Sequence, residues 1–102
     1  MFKLEITDTA ECDLDRITDY LGITLSNPQA AISFLDEIER VSAELESNPS
    51  VFPLCAAGNL SDLGYHKAIV RSYILVFELD TNANIVRVLR VFHSSENYAA
   101  KL

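Results

Sequence analysis

Glycine is scarce in this chain. Its three glycines, Gly22, Gly58 and Gly64, are too scattered to form a loop whose backbone amides cradle phosphate. Cysteine is scarcer still, and Cys12 and Cys55 lack the C-x-x-C spacing of a redox or zinc motif. Two lone cysteines suit buried or incidental thiols in a reducing compartment better than a disulfide scaffold, and little in the sequence supports a reactive thiol. The two histidines, His66 and His93, have no Cys or His at ligand spacing, so no structural zinc and no cofactor of any kind is assigned. No apolar run approaches membrane-spanning length, and Met1-Phe2-Lys3 leads straight into an alternating segment instead of a signal sequence. A soluble cytoplasmic protein with no membrane partner is expected.

Positive charge is also in short supply. Eight Lys and Arg stand against fifteen Asp and Glu, and a net charge of −7 argues against a generic nucleic-acid binder. The total hides a division along the chain. Residues 1–64 hold three basic residues against twelve acidic ones, a balance of −9, whereas residues 65–102 hold five against three, a balance of +2. Any anion site has to be local and shaped, and it belongs in the C-terminal third.

What is present suits one folded unit. A chain of 102 residues, 49% hydrophobic and 23% charged, can bury a single sizeable core, so residues 1–102 are read as one domain. Residues 65–93 organise it. The segment YILVFEL at 73–79 is apolar at six of seven positions, the composition of a central strand covered on both faces or nearly so. Segments 65–71 and 84–92 flank it as strands, and Asp80-Thr81-Asn82-Ala83-Asn84 has the residues of a hairpin loop. The link at Arg71-Ser72 is shorter and less plainly marked.

Upstream, Phe2, Leu4 and Ile6 alternate with Lys3 and Glu5, which predicts a first strand. Thr7 or Asp8 can cap the helix that follows, where Ala10, Leu14, Ile17 and Leu21 form one stripe that ends near Gly22. Asn27-Pro28 then opens a second helix to about Ser47, with Ala31, Phe34, Leu35, Ile38, Val41 and Leu45 inward. Asn48-Pro49 stops it, residues 50–63 read as a loop, and residues 94–101 form a short terminal helix or fray. The expected fold is α+β: an N-terminal strand, an antiparallel two-helix hairpin, then a three-stranded antiparallel meander, with the helices on one face of a single sheet. The other face is expected to stay open and to hold any site.

Acidic residues fall on helix exteriors, where a solvated face explains them. The remaining candidates are Tyr65, His66, Lys67, Arg71, Arg87, Arg90, His93 and Tyr98. Guanidinium and ammonium groups can hold a phosphodiester and its developing charge while His or Tyr moves protons. Each has a plainer reading as well. Lys67 and Arg71 serve equally as edge-strand charges against aggregation, His93 as a structural histidine, and Tyr98 as an anchor for the tail. Arg87 and Arg90 differ by three positions, so strict alternation sends them to opposite faces.

The stretches FKLEITDTAECDLDRITDYL, NPQAAISFLDEI, NPSVFPL, GYHKAIVRSYILVFELD and IVRVLRVFHSSENY resemble the RelE/ParE superfamily, toxins of bacterial type II toxin-antitoxin systems also called plasmid-stabilisation proteins. The resemblance spans nearly the whole chain and implies the same α+β fold, together with a cognate antitoxin whose tail wraps the toxin. In members that cut mRNA on the ribosome it implies metal-independent endoribonuclease chemistry. By position, Lys67, Arg71 and Arg90 would then hold phosphate, and His93, Tyr98 and Arg71 would be catalytic. In the ParE branch the implied target is DNA gyrase, with no such catalytic set. A homodimer or a toxin-antitoxin hetero-oligomer is compatible with either branch. Where the family runs to Gly and Arg before a Tyr, this chain reads His93-Ser94-Ser95-Glu96-Asn97-Tyr98, and the 60–63 stretch is Leu-Ser-Asp-Leu. Loss of those cations raises a third reading, a non-catalytic module that only binds antitoxin.

Overall fold

The computed structural model describes residues 1–55 and 63–96. Strand β1 (Lys3–Ile6) leads into helix α1 (Asp8–Asp19), which continues as a π-helical turn (Tyr20–Thr24). Helix α2 (Pro28–Ser47) and a short 3-10 turn (Pro49–Val51) follow, then β2 (Tyr65–Val70), β3 (Tyr73–Asp80) and β4 (Ile85–His93). The four strands make one sheet in the order β1-β4-β3-β2; the meander is antiparallel, and β1 runs parallel to β4.

The local signals account for most boundaries. Of the two candidate caps before α1, Thr7 is the one used: its hydroxyl accepts from the Ala10 N–H at 3.1 Å. Asn27 caps α2 through Oδ1, which accepts from the Ala30 N–H at 3.1 Å, with Pro28 at the first helical position. In the β3–β4 loop, Asp80 Oδ1 accepts from the N–H groups of Asn82 (3.1 Å) and Ala83 (3.0 Å), and Asn84 takes a φ of +56°. The π-helical turn extends α1 past the expected stop near Gly22.

Both helices pack on one sheet face. Phe34, Ile38, Val41 and Leu45 of α2 and Ala10 of α1 meet Ala68, Val70, Leu75, Phe77, Val86, Val88 and Val91 of the strands in the main core. Alternation along β3 therefore sends Leu75 and Phe77 toward the helices and Ile74 and Val76 away from them. Phe34 and Tyr73 meet edge to face at 5.1 Å.

The outer face departs from expectation because it carries a core of its own. Cys55, Ile74, Val76 and Phe92 are all buried there, with Tyr65 and Leu89 packed against them. The cause is the segment after the 3-10 turn, which bonds along the free edge of β2. Cys55 N–H donates to the Tyr65 carbonyl at 2.8 Å, and Lys67 N–H donates to the Pro53 carbonyl at 3.0 Å. This part of the expected loop is ordered against the sheet; residues 56–62 lie outside the described residues.

A second departure concerns register. The β3–β4 ladder slips between Val76 and Phe77, so Phe77 pairs with Val88 and Val76 with Arg90, leaving Leu89 as an extra residue. The bulge puts Arg87 and Arg90 on the same face, away from the helices, where strict alternation predicted opposite faces. Arg87 joins Glu5 and Glu78 in a ladder across three neighbouring strands, with its Nε 3.2 Å from Glu5 Oε1.

Candidate functional site

Strand β1 ends opposite Val88, so the last five residues of β4, from Leu89 to His93, have no strand beside them on that edge. Helix α1 fills that gap with side chains. Thr7 donates its hydroxyl to the Leu89 carbonyl at 3.0 Å, and the Asp13 carboxylate accepts from the Val91 N–H at 2.9 Å. Asp13 is only 1% exposed and also accepts from Arg90 Nε at 2.7 Å and from Nη2 at 3.1 Å. This fork-to-fork contact holds the Arg90 guanidinium strongly protonated, chiefly through its hydrogen bonds to Asp13. Arg90 also stacks over the Phe92 ring at 4.7 Å. Arg90, expected as a phosphate cation, is thus part of the clasp between helix and sheet.

Beyond the clasp, the C-terminal end of α1, the N-terminal end of α2 and the β2–β3 turn line a cleft of about 1000 Å³. Its floor includes Leu21, Phe34 and Val91, and its rim includes Arg16, Arg71 and His93. Arg71 reaches the rim from the two-residue β2–β3 turn, where it adopts a φ of +57°. His93, the last residue of β4, pairs with Tyr73, and its ring meets the tyrosine edge to face at 5.4 Å.

Several hydrogen bonds fix this end of β4. Ser94 N–H donates to the Ser72 carbonyl at 2.8 Å, and Glu96 Oε2 accepts from the His93 N–H at 2.7 Å. The Ser95 N–H donates to His93 Nδ1 at 3.1 Å, and the Ser95 hydroxyl lies 2.7 Å from the same nitrogen. Nδ1 is the acceptor in the contact with the Ser95 N–H. Burial pushes the Tyr73 phenol above its ordinary pKa, and the neighbouring Tyr20 adds to the shift.

The cleft therefore joins Arg71 and His93 but leaves out Lys67. Lys67 pairs with Val76 and faces the outer side of the sheet beside Cys55. The expected site on the uncovered sheet face is replaced by a cleft on the helix side, because the outer face is occupied around Cys55. Tyr98 lies outside the described residues. Cys55 is buried as expected, whereas Cys12 is exposed on α1.

Sequence reasoning missed Arg16, Tyr20 and Tyr73 as lining residues. Arg16 reads as one more solvated helix charge, and only its i,i+3 spacing from Asp13 hints at a fixed position. Among the described residues, no group of three His, Cys, Asp or Glu side chains is placed to hold a metal ion. Among the same residues, no helix is long and apolar enough to cross a membrane.

The profile of the family described as ParE toxin of type II toxin-antitoxin system, parDE, matches residues 4–98. No curated protein matches the sequence. The fold is similar to that of the chromosomal ParDE toxin-antitoxin system from P. aeruginosa, at 20% identity and a TM-score of 0.69, covering 91% of this chain and 96% of that one. It is also similar to the RelBE2 toxin-antitoxin complex from Mycobacterium tuberculosis (21% identity, TM-score 0.65, 93% of each chain). The intact E. coli RelBE toxin-antitoxin complex gives 17% identity and a TM-score of 0.60, over 94% of this chain and all of that one.

Proposed function

Because the chain belongs to the ParE toxin family of type II toxin-antitoxin systems, whose members pair with an antitoxin, we propose that it poisons its cell by binding a protein, DNA gyrase, and not by cutting RNA. It acts in the cytoplasm, with Arg71 and His93 as contact residues in the helix-side cleft. One observation carries this choice: the cations that RNA cleavage would need are divided. Lys67 lies on the outer face and Arg90 is clasped by Asp13. Of the three cations expected to hold phosphate, Arg71 alone lines the cleft with His93, where Arg16 is its one cationic neighbour among the described residues. Metal-independent phosphodiester cleavage needs several converging donors around the developing charge, and a chain of net charge −7 gives RNA no general attraction.

The ribonuclease reading keeps one specific support. Arg71, His93 and the Tyr73 hydroxyl share the same cleft, which supplies a cation and two proton-bearing groups. Induced expression without antitoxin separates the two. The gyrase reading expects growth arrest with DNA damage, gyrase trapped on cleaved DNA and intact messages. Messages cut on ribosomes with undamaged DNA reject it in favour of the nuclease. Unimpaired growth at high expression rejects both and leaves the antitoxin-binding module.

A further inference from the structure

The two edges of the sheet are finished differently. Along β2 the Pro53–Cys55 segment bonds to the free side, whereas β1 has no such cover among the described residues. Lys3 N–H donates to the Asn84 carbonyl at 2.8 Å and Thr7 N–H to the Val88 carbonyl at 3.1 Å, so the odd residues of β1 turn their backbone groups toward β4. The even residues Phe2, Leu4 and Ile6 turn theirs outward. Phe2 N–H meets the Glu46 carbonyl of α2 at 2.8 Å, but the Phe2 carbonyl and the polar backbone groups of Leu4 and Ile6 have no backbone partner among the described residues. The edge is open from Phe2 to Ile6.

Side chains at this edge specify what completes it. Phe2, Leu4 and Ile6 pack against the main core, while Glu5 lies on the outer face with Arg87, and alternation puts Lys3 there as well. The ladder Glu78–Arg87–Glu5 sets one guanidinium between two carboxylates and ends at the edge on Glu5, one cation short. Lys3 is exposed and forms no ion pair among the described residues. We propose that β1 pairs with β1 of a second copy of this chain, antiparallel about a two-fold axis at Leu4, which joins the two four-stranded sheets into one. In this register the two Leu4 residues exchange both backbone hydrogen bonds, and Ile6 N–H of each copy meets the Phe2 carbonyl of the other. Lys3 and Glu5 then oppose each other as a non-hydrogen-bonded pair, the position where side chains approach most closely. Each Glu5 lies between Arg87 of its own sheet and Lys3 of the second copy. Other registers lack this match: an axis at Lys3 or at Glu5 opposes like charges, and an axis at Ile6 runs Leu4 against Asp8 of α1. The charges therefore select one partner and one alignment at an edge that would otherwise accept any strand. No β1 residue lines the cleft, so the pairing leaves both clefts open and does not rest on the toxin's target.

Four residues of edge bury less surface than a tight dimer needs, so the association is weak and depends on concentration. Sedimentation of the purified full chain at rising concentration, up to about 1 mM, should show monomer passing to dimer. Lys3→Glu makes both symmetric pairs repulsive and should weaken association by about tenfold or more, as should Glu5→Lys. Lys67→Glu, the same charge change away from this edge, should alter it by less than about twofold. Mixing the Lys3→Glu and Glu5→Lys chains should restore the parental affinity, because each supplies the charge that the other now requires. Glu5→Lys stands beside Arg87, and if it fails to fold, hydrogen exchange of the unsubstituted chain decides: the Leu4 and Ile6 amides should slow as concentration rises, while the Glu5 amide, on the β4 side, stays unchanged. A chain that remains monomeric throughout overturns the pairing. So does a dimer that Lys3→Glu leaves equally tight, or one in which Leu4 and Ile6 exchange as fast as in the monomer. Each of these results leaves the toxin reading untouched, since growth arrest on expression tests that separately.

Discussion

Arg90 and Asp13 are 77 positions apart in the chain, yet the guanidinium straddles the carboxylate at 2.7 and 3.1 Å while the same carboxylate accepts the Val91 N–H. Removing Asp13 takes the acceptor from the Val91 N–H and the bidentate carboxylate from Arg90. Such losses cost about 3 kcal/mol. Asp13→Ala should lower unfolding stability by that order in urea titrations, and Asp13→Leu combined with Arg90→Met should recover part of it. Equal stability of Asp13→Ala and the parent protein would show that the clasp contributes nothing.

Thr7 has two tasks, since its hydroxyl accepts from Ala10 and donates to Leu89. Thr7→Val keeps the shape and loses both bonds, so it should cost about 1–2 kcal/mol. Thr7→Ser should cost a small fraction of that. Denaturation midpoints of the two variants compare them directly, and a valine variant as stable as the serine one rejects the account.

Alkaline pH should weaken the fold in two stages. Burial raises the Cys55 thiol above its ordinary pKa, outweighing the opposing influence of Lys67, and burial likewise raises Tyr73. For a group whose folded pKa is raised, the unfolded chain loses its proton first, so stability is full below the unfolded pKa and falls as pH climbs through the folded one. Loss should begin above about pH 8.5 for Cys55 and above about pH 10 for Tyr73. Urea midpoints measured against pH should lose the earlier component in Cys55→Ala and the later one in Tyr73→Phe.

Arg71 occupies a backbone conformation, φ +57°, that side chains adopt at a cost of about 1 kcal/mol. Arg71→Gly should therefore fold with stability equal to or above that of the parent, although glycine's freedom in the unfolded chain offsets part of the gain. Arg71→Val should be less stable, because a β-branched residue tolerates this region poorly. If the glycine variant stays folded but no longer arrests growth, the arginine is functional rather than structural. Full toxicity in that variant would remove Arg71 from the proposed contact.

Both helices and all four strands were legible from periodicity and capping, since Asn27-Pro28, Asp80 and Thr7 act through neighbours a few residues away. The site was less legible because its geometry depends on contacts between distant segments. Asp13 reads as a solvated helix acid until its partner 77 residues on is known. Arg87 and Arg90 read as opposed until one extra residue at Leu89 breaks the alternation. The apolar run at 73–79 called for cover on both faces, but Cys55 and its neighbours lack any period, so nothing named them as the cover of the face on which the cationic site was expected. Arg71 and His93, grouped with Lys67 and Tyr98 in the expected site, line one cleft because a two-residue turn brings β2 back beside β3 and the strand pairing then brings His93 to Tyr73.

The place of β4 between β1 and β3 has a consequence for how the chain is made. The first strand waits for its parallel neighbour until Ile85–His93 have been synthesised, so a nascent chain lacking them has an uncompleted sheet and no clasp for α1. Translation that stops short of this strand yields a fragment without the cleft, and the toxin matures only once β4 has been synthesised.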